Sequence, residues 1–275
     1  MPELPEVETV VRALKPVLEG KTIERVDLLH PRVWRDSDPE RLRAATRNAR
    51  ITNLDRRGKH ILWHLENRPT LVIHLRMSGQ LLLSDAPIDS PHVRAVFHLI
   101  GGPLVHFVDA RTFGTLFLLD GTEPASFHAL GVEPLSSEFT PRVLAELMRD
   151  RTTPVKSFLL MQDRVAGIGN IYASEALWNA RIHPGTPAGE IHEPRITRLH
   201  GALVEILSGA VDQMGTTLSD FRRPNGEPGR YGNRLDVYNR EGQPCPRCGK
   251  PITRIMQHGR STFFCSRCQH APRRR

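Results

Sequence analysis

Six residues at the start of the chain, Met1-Pro2-Glu3-Leu4-Pro5-Glu6, and four cysteines near its far end are the residues whose types and spacing most directly suggest chemistry. If Met1 is removed, Pro2 becomes a terminal secondary amine. An α-amino group has a reference pKa near ~8 and a lysine near ~10.4, so at neutral pH roughly a tenth of the first is unprotonated, against less than about a thousandth of the second. An unprotonated amine attacks sugar or carbonyl carbon and goes on to a Schiff base. Two carboxylates, Glu3 and Glu6, lie beside it and could move the protons. The same residues also fit a plainer reading, in which Pro2 merely follows the initiator and the acids favour a helix N-terminus.

The cysteines fall in two pairs, Cys245-Pro-Arg-Cys248 and Cys265-Ser-Arg-Cys268, with sixteen residues between them. That spacing matches a four-thiolate structural zinc site; redox thiols are the alternative. The intervening stretch reads as a hairpin, with one strand from Pro251 to Met256, a turn at His258-Gly259 and a second strand at Thr262-Phe263-Phe264. So short a segment cannot bury enough apolar surface to fold unaided, and one zinc ion would supply the deficit. Arg260 would stand exposed at the tip, as a phosphate contact or as an ordinary turn arginine.

Charge placement narrows the class of partner. Of 275 residues, 38 are Lys or Arg and 30 Asp or Glu, a formal charge of +8. From Cys245 to Arg275 there are eight basic residues and no acid, including the Arg273-Arg274-Arg275 tail, so the whole excess sits there. A second run, Arg41 to Lys59, holds seven cations against Asp55 alone. Such asymmetry is the footprint of a polyanion partner. No apolar run approaches the ~20 residues of a membrane span, and no secretory leader is evident, so the cytoplasm is the expected compartment.

The elements that must position these residues form two sets. Val7, Val10, Val11, Leu14 and Leu18 repeat at helical spacing over 5–19, with Pro16 expected to kink or shorten that helix. From Thr22 to about Leu119, short runs such as Ile61–Leu65, Thr70–Leu75, Gln80–Leu83, Val93–Ile100, Leu104–Val108 and Thr115–Leu119 predict an antiparallel sandwich or barrel. Beyond about 125–135 the period becomes helical: 141–149, 154–162, 170–181 and 194–214. Gly167-Ile168-Gly169-Asn170 lies between two of these helices and could approach a phosphate, or simply close a turn. Residues 215–236, rich in Gly, Pro and Arg, read as a long mobile loop.

Taken together and in order, Met1–Glu8, Gly58-Lys59, His74 with Met77-Ser-Gly79, Gly167–Glu175, Gly215–Phe221 and the terminal cysteines resemble the formamidopyrimidine-DNA glycosylase family of bacterial 8-oxoguanine repair enzymes. The resemblance covers nearly the whole chain. It implies an α+β protein: a β-sandwich with an N-terminal helix over 1–128, a helix–two-turns–helix domain over 129–238 with a lesion loop at about 215–231, and a zinc ribbon with a basic tail over 239–275. Double-stranded DNA with oxidised bases or abasic sites would be the partner, met by a monomer.

The same resemblance implies roles for single residues. Pro2 would attack the sugar, Glu3 would be the acid that protonates sugar oxygen or leaving group, Glu6 would support that network, and Lys59 would contact the lesion and an adjacent phosphate. Phosphates would fall to His74, Asn170, Tyr238 and Arg260. Met77, Arg111 and Phe113 would fill the space left by an extruded base. Thr217 or Ser219, with loop amides, would contact that base, and Cys245, Cys248, Cys265 and Cys268 would hold the zinc. Some residues depart from the family pattern: glycine is expected where Arg76 stands, a Pro-Arg-Arg run where Ala110-Arg111-Thr112 stands, and fewer cations than Arg222, Arg223 and Arg230. Rival readings are the sister enzyme for oxidised pyrimidines, endonuclease VIII, and a zinc-ribbon DNA-binding protein without catalysis.

Overall fold

The computed structural model describes residues 1–35 and 37–271, so the expected role of the Arg273–Arg275 tail falls outside the described residues. The chain divides into two compact units, Met1–His128 with Val211–Gly232, and Ala129–Ala210 with Asn233–Arg275. Among the described residues no helix is long and apolar enough to cross a membrane.

In the first unit, α1 (Leu4–Leu18) buries Leu4, Val7, Val10, Val11, Leu14 and Leu18, the stripe its spacing predicts. Pro16 does not shorten it. The proline lies in the final turn, where one missing N–H forfeits a single hydrogen bond, and the Lys15 carbonyl still accepts from Glu19 N at 3.0 Å. Eight strands follow: β1 (Thr22–Leu28), β2 (Ala49–Arg57), β3 (His60–Leu65), β4 (Thr70–His74), β5 (Gln80–Ser84), β6 (Val93–Leu99), β7 (Leu104–Val108) and β8 (Thr115–Leu119). Short helices α2 (Pro39–Thr46) and α3 (Ala125–His128) complete the N-terminal segment.

All strand pairs are antiparallel, in the order β5-β7-β6-β1-β2-β3-β4-β8. β1 meets β2 only at Thr22↔Arg50 and Ile23↔Ala49. So slight a junction lets the two four-stranded halves fold over each other. Trp63 of β3 accordingly lies against Phe97 of β6, ring centroids 4.9 Å apart, and the α1 stripe joins the same core.

The stretch read as a long mobile loop, residues 215–236, belongs through Gly232 to the first unit and is attached to it. Phe221 is buried in the first unit's core, Leu83 N of edge strand β5 donates to Pro224 O at 2.9 Å, and Gln80 Nε2 donates to Asp220 O at 2.6 Å. An edge strand offers unpaired amides, and the loop satisfies one of them.

The second unit contains α4 (Pro141–Met148), α5 (Val155–Leu159), α6 (Asn170–Asn179), α7 (Glu193–Asp212) and the hairpin β9 (Thr253–Gln257) with β10 (Arg260–Phe264). α5 stops short of the predicted 162. Gln162 there turns its amide onto the backbone, donating to Leu160 O and Ile168 O and accepting from Gly167 N, and so ties two turns together before α6.

Candidate active site and nucleic-acid interface

Helix α1 starts with a reciprocal cap. The Glu3 side chain accepts from the backbone of Glu6, and Glu6 Oε2 accepts from Glu3 N at 2.8 Å. Pro2, Glu3 and Glu6 are all buried, whereas Met1 is half exposed. The other carboxylate oxygen of Glu6, Oε1, accepts from Thr216 N at 2.7 Å. One carboxylate therefore ties the residue next to Pro2 to Thr216, in the loop that follows α7. A Cβ on Gly215, whose φ is +76°, would lie 2.9 Å from that same Oε1. Gly215→Ala should cost about 1–2 kcal/mol in left-handed strain alone, besides displacing Glu6. Denaturant unfolding measures it; a wild-type value would show that the close approach is idle.

Lys59 is buried at the turn between β2 and β3, and the neighbouring contacts dock that turn beside α1. Arg56 Nε donates to Glu8 Oε2 at 3.0 Å while its Nη1 donates to Gly58 O at 3.0 Å. Burial pushes the Glu8 carboxyl up, but the Arg12 and Arg56 hydrogen bonds outweigh it and hold it below the ordinary glutamate value. Glu8 thus works as a fixed anion for the arginine that carries the lysine turn.

His74 ends β4 and pairs across the ladder with His60, ring centroids 4.5 Å apart and edge-on. Burial, then neighbouring cations, lowers His60 from 6.5 to about 4. Burial, then the His60 charge, holds His74 well below its usual value. His74 Nδ1 accepts from Arg76 N at 2.9 Å, so the neutral ring carries its proton on Nε2. Unfolding frees both imidazoles to bind protons at acid pH. Stability from His60 is therefore complete above about pH 6.5 and lost as pH falls toward about 4, by about 3 kcal/mol. Urea unfolding of wild type and His60→Phe over that window checks it, and equal pH dependence of the two would count against His60.

Arg76 has a φ of +52°, the left-handed region, which explains in backbone terms why glycine would be expected at this position. Beyond it, Met77 and Phe113 are exposed apolar side chains on neighbouring turns. Arg111 Nη1 approaches Met77 Sδ at 3.7 Å. The buried carboxylate of Asp109 holds both turns: Oδ1 accepts from Ser78 Oγ at 2.5 Å and from Arg111 N at 3.2 Å, and Oδ2 accepts from Gly114 N at 2.8 Å. Asp109 and Ser78 received no role from sequence. Only the pairing of two distant turns reveals them.

Within the 211–232 loop, Thr217 Oγ1 donates to Phe221 O and accepts from Gly229 N, so this hydroxyl clamps the loop; Ser219 is exposed. Two of the extra arginines are likewise internal. Arg222 donates to the Ser219 and Phe221 carbonyls, and Arg223 pairs with Glu227. Arg230 alone of the three is exposed.

In the second unit, Asn170 opens α6, and its Nδ2 donates to Ser261 O at 2.9 Å and Tyr238 Oη at 3.3 Å. The Ser261 carbonyl also accepts from buried Lys156 Nζ at 3.1 Å, which reaches Thr262 Oγ1 at 2.7 Å. Together these fix the backbone directly after Arg260, exposed at the hairpin tip. Tyr238 is held from its other side: Glu175 Oε1 accepts from Val237 N and Tyr238 N, and Oε2 from Asp236 N. Reading by sequence assigned Lys156 no role and left Glu175 as a motif letter.

The four cysteine sulfurs lie within 4.8 Å of one another, with Cys245 Sγ to Cys268 Sγ at 3.9 Å and Cys248 Sγ to Cys265 Sγ at 3.5 Å. Tetrahedral zinc with sulfur at ~2.3 Å requires such separations. Burial, then the neighbouring thiols, pushes Cys268 up to about 12. At Cys245 burial acts in the same direction, but the Trp178 N–H and backbone amides outweigh it and leave the thiol at about 6. The donor set fits zinc.

Three family models match in order: the formamidopyrimidine-DNA glycosylase N-terminal domain over residues 1–116, its H2TH domain over 130–222, and the zinc finger found in FPG and IleRS over 242–271. The chain is 46% identical over 276 residues to the formamidopyrimidine-DNA glycosylase of Symbiobacterium thermophilum, covering 99% of this chain and 90% of that protein. It is 46% identical to the enzyme of that name from Chloroflexus aggregans, covering 98% of each. Among solved structures, the MutM (Fpg) protein of Thermus thermophilus superposes with a TM-score of 0.89 at 42% identity, over 99% of this chain and 100% of that one. A Lactococcus lactis FPG mutant in complex with DNA containing Fapy-dG gives 0.90 at 34% identity, over 98% and 100%.

Proposed function

The chain belongs to the formamidopyrimidine-DNA glycosylase family, and on that premise we propose that it is a bifunctional glycosylase and abasic-site lyase whose nucleophile is the amine of Pro2. The observation that carries this reading is the pinned N-terminus: Glu6 accepts from both Glu3 N and Thr216 N, so the backbone beside Pro2 is tied down from two directions. Loss of Met1 frees the proline nitrogen. It attacks the anomeric carbon of an oxidised purine nucleotide, such as 8-oxoguanine or a formamidopyrimidine, and the bond to the base breaks. Glu3 gives a proton to the sugar oxygen or departing base. Opening of the C1′–O4′ ring bond, its oxygen taking a proton, leaves an iminium that acidifies the C2′ proton. Its loss expels the 3′ phosphate, and a second elimination through C4′ expels the 5′ phosphate.

Extrusion of the base leaves a gap, which Met77, Phe113 and the Arg111 cation fill, held in register by Asp109. His74 meets phosphate as a neutral donor through Nε2. Lys59 contributes a cation to the lesion and an adjacent phosphate. Asn170 and Arg260 take phosphates on the second unit; with its side-chain amide donated to Ser261 and Tyr238, Asn170 offers the backbone N–H at the start of α6. Loop amides with Ser219 contact the extruded base. Zinc on Cys245, Cys248, Cys265 and Cys268 supplies structure alone. The protein acts as a monomer in the cytoplasm.

Borohydride reduces an imine to a stable amine and so tests this reading. Wild type should form a covalent adduct with duplex containing 8-oxoguanine, and Pro2→Gly should lose it. No adduct from wild type would favour a binding protein without catalysis, and an adduct only with thymine glycol would favour the sister enzyme for oxidised pyrimidines.

A further inference from the structure

A concave site of 780 Å³ lies in the second unit on the cysteine knuckles, lined by Arg181, Arg195, Arg247 and Arg267 with His270, against Glu190 as the only acid. These cations come from four separate places: the end of α6, the first turn of α7 and each of the two C-x-x-C turns. No sequence run groups them; the fold does. None of the four arginines has a carboxylate partner among the described residues. Arg247 is held in position, stacked 4.1 Å from the Trp178 ring centroid and donating to Trp178 O at 3.0 Å.

This arrangement is unfavourable without an anion. Arg195 sits in the first turn of a helix, whose positive dipole end repels a cation. Burial, then the charge of Arg198, holds Arg195 below its ordinary value. Planar guanidinium forks suit phosphate oxygens, which they bind two at a time. The site is not the one formed at the hairpin tip: the four remaining residues of β10 separate Arg260 from Cys265, roughly 16 Å at strand rise.

We propose that this pocket is a second phosphate-binding site, for the backbone of undamaged DNA outside the segment held at Arg260. That DNA is either the far flank of the same duplex or a second duplex. The inference rests on the DNA-repair reading above and assigns a separate surface to it.

The test compares a duplex of about 15 base pairs with one of about 40, roughly one and a half and four helical turns, both carrying the lesion. It uses the zinc-loaded protein and Arg195→Gln/Arg267→Gln, with Arg181→Gln as an independent variant of the same pocket. Wild type should bind the long duplex about tenfold more tightly than the short one, or bind an added undamaged duplex on top of the short complex. The double variant should lose that gain and reduce the slope of log affinity against log salt by about two, while Arg181→Gln reduces it by about one. Excision on the short duplex should stay unchanged, as should zinc content. The first gain places the pocket on a flank, the second on another duplex. Retention of gain and slope in every variant would overturn the proposal, as would an acidic peptide that occupies the pocket while DNA does not. Binding of neither duplex by wild type would overturn the repair reading, and this one with it.

Discussion

Glu3→Gln should lower excision of 8-oxoguanine by about 10²–10⁴, the usual worth of a positioned general acid, while cleavage at a preformed abasic site stays within about tenfold of wild type. The distinction comes from what each substrate lacks. An intact nucleotide must expel a base, and that base leaves only with a proton. An abasic sugar has no base to lose and, on the proposed mechanism, would present its aldehyde directly to the Pro2 amine. The substitution is also mild for the fold, because Gln Oε1 can still accept from the Glu6 backbone and keep the cap on α1. Assaying released base and nicked strand separately reads the two activities. Equal loss on both substrates would make Glu3 a structural residue, and undiminished excision would remove it from the chemistry.

Complete removal of the metal should weaken DNA binding at least about a hundredfold while leaving the first unit folded. Between the knuckles the ribbon buries Ile252, Phe263 and Phe264, the first two against Trp178 and Val237 and the last against His183. Zinc contributes about 10–16 kcal/mol to such a module at neutral pH, far more than that cluster can. Without it β9 and β10 separate, Ser261 leaves Lys156 and Asn170, and Arg260 loses its fixed place. The first unit has its own continuous core from α1 through β8. Hydrogen exchange would show protection kept in β1–β8 and lost in β9 and β10, alongside the affinity measurement. Unchanged affinity after verified metal loss would contradict the ribbon's role.

Features that depend on local spacing were legible in the sequence. The α1 stripe, the strands at Leu104–Val108 and Thr115–Leu119 and the cysteine pairs follow from period and interval, which are properties of a few successive residues. α2 was missed because only Leu42 and Ala45 mark its apolar side amid arginines; Asp38-Pro39-Glu40, whose aspartate accepts from Glu40 N at 2.8 Å, was the available signal. The attachment of the 211–232 loop could not be read, since it depends on Phe221 and on an unpaired edge amide of β5 more than a hundred residues away. Buried Asp109, Lys156 and Glu175 share this property. Each looks like a routine polar residue until the distant partner it holds is known.

Mass mapping of the borohydride-trapped adduct tests the central claim most directly. The DNA-linked peptide should begin at Pro2, with Met1 absent and the new carbon–nitrogen bond on the proline nitrogen. A link to Lys59 or any other side chain, or an active enzyme that keeps Met1 in place, would contradict it.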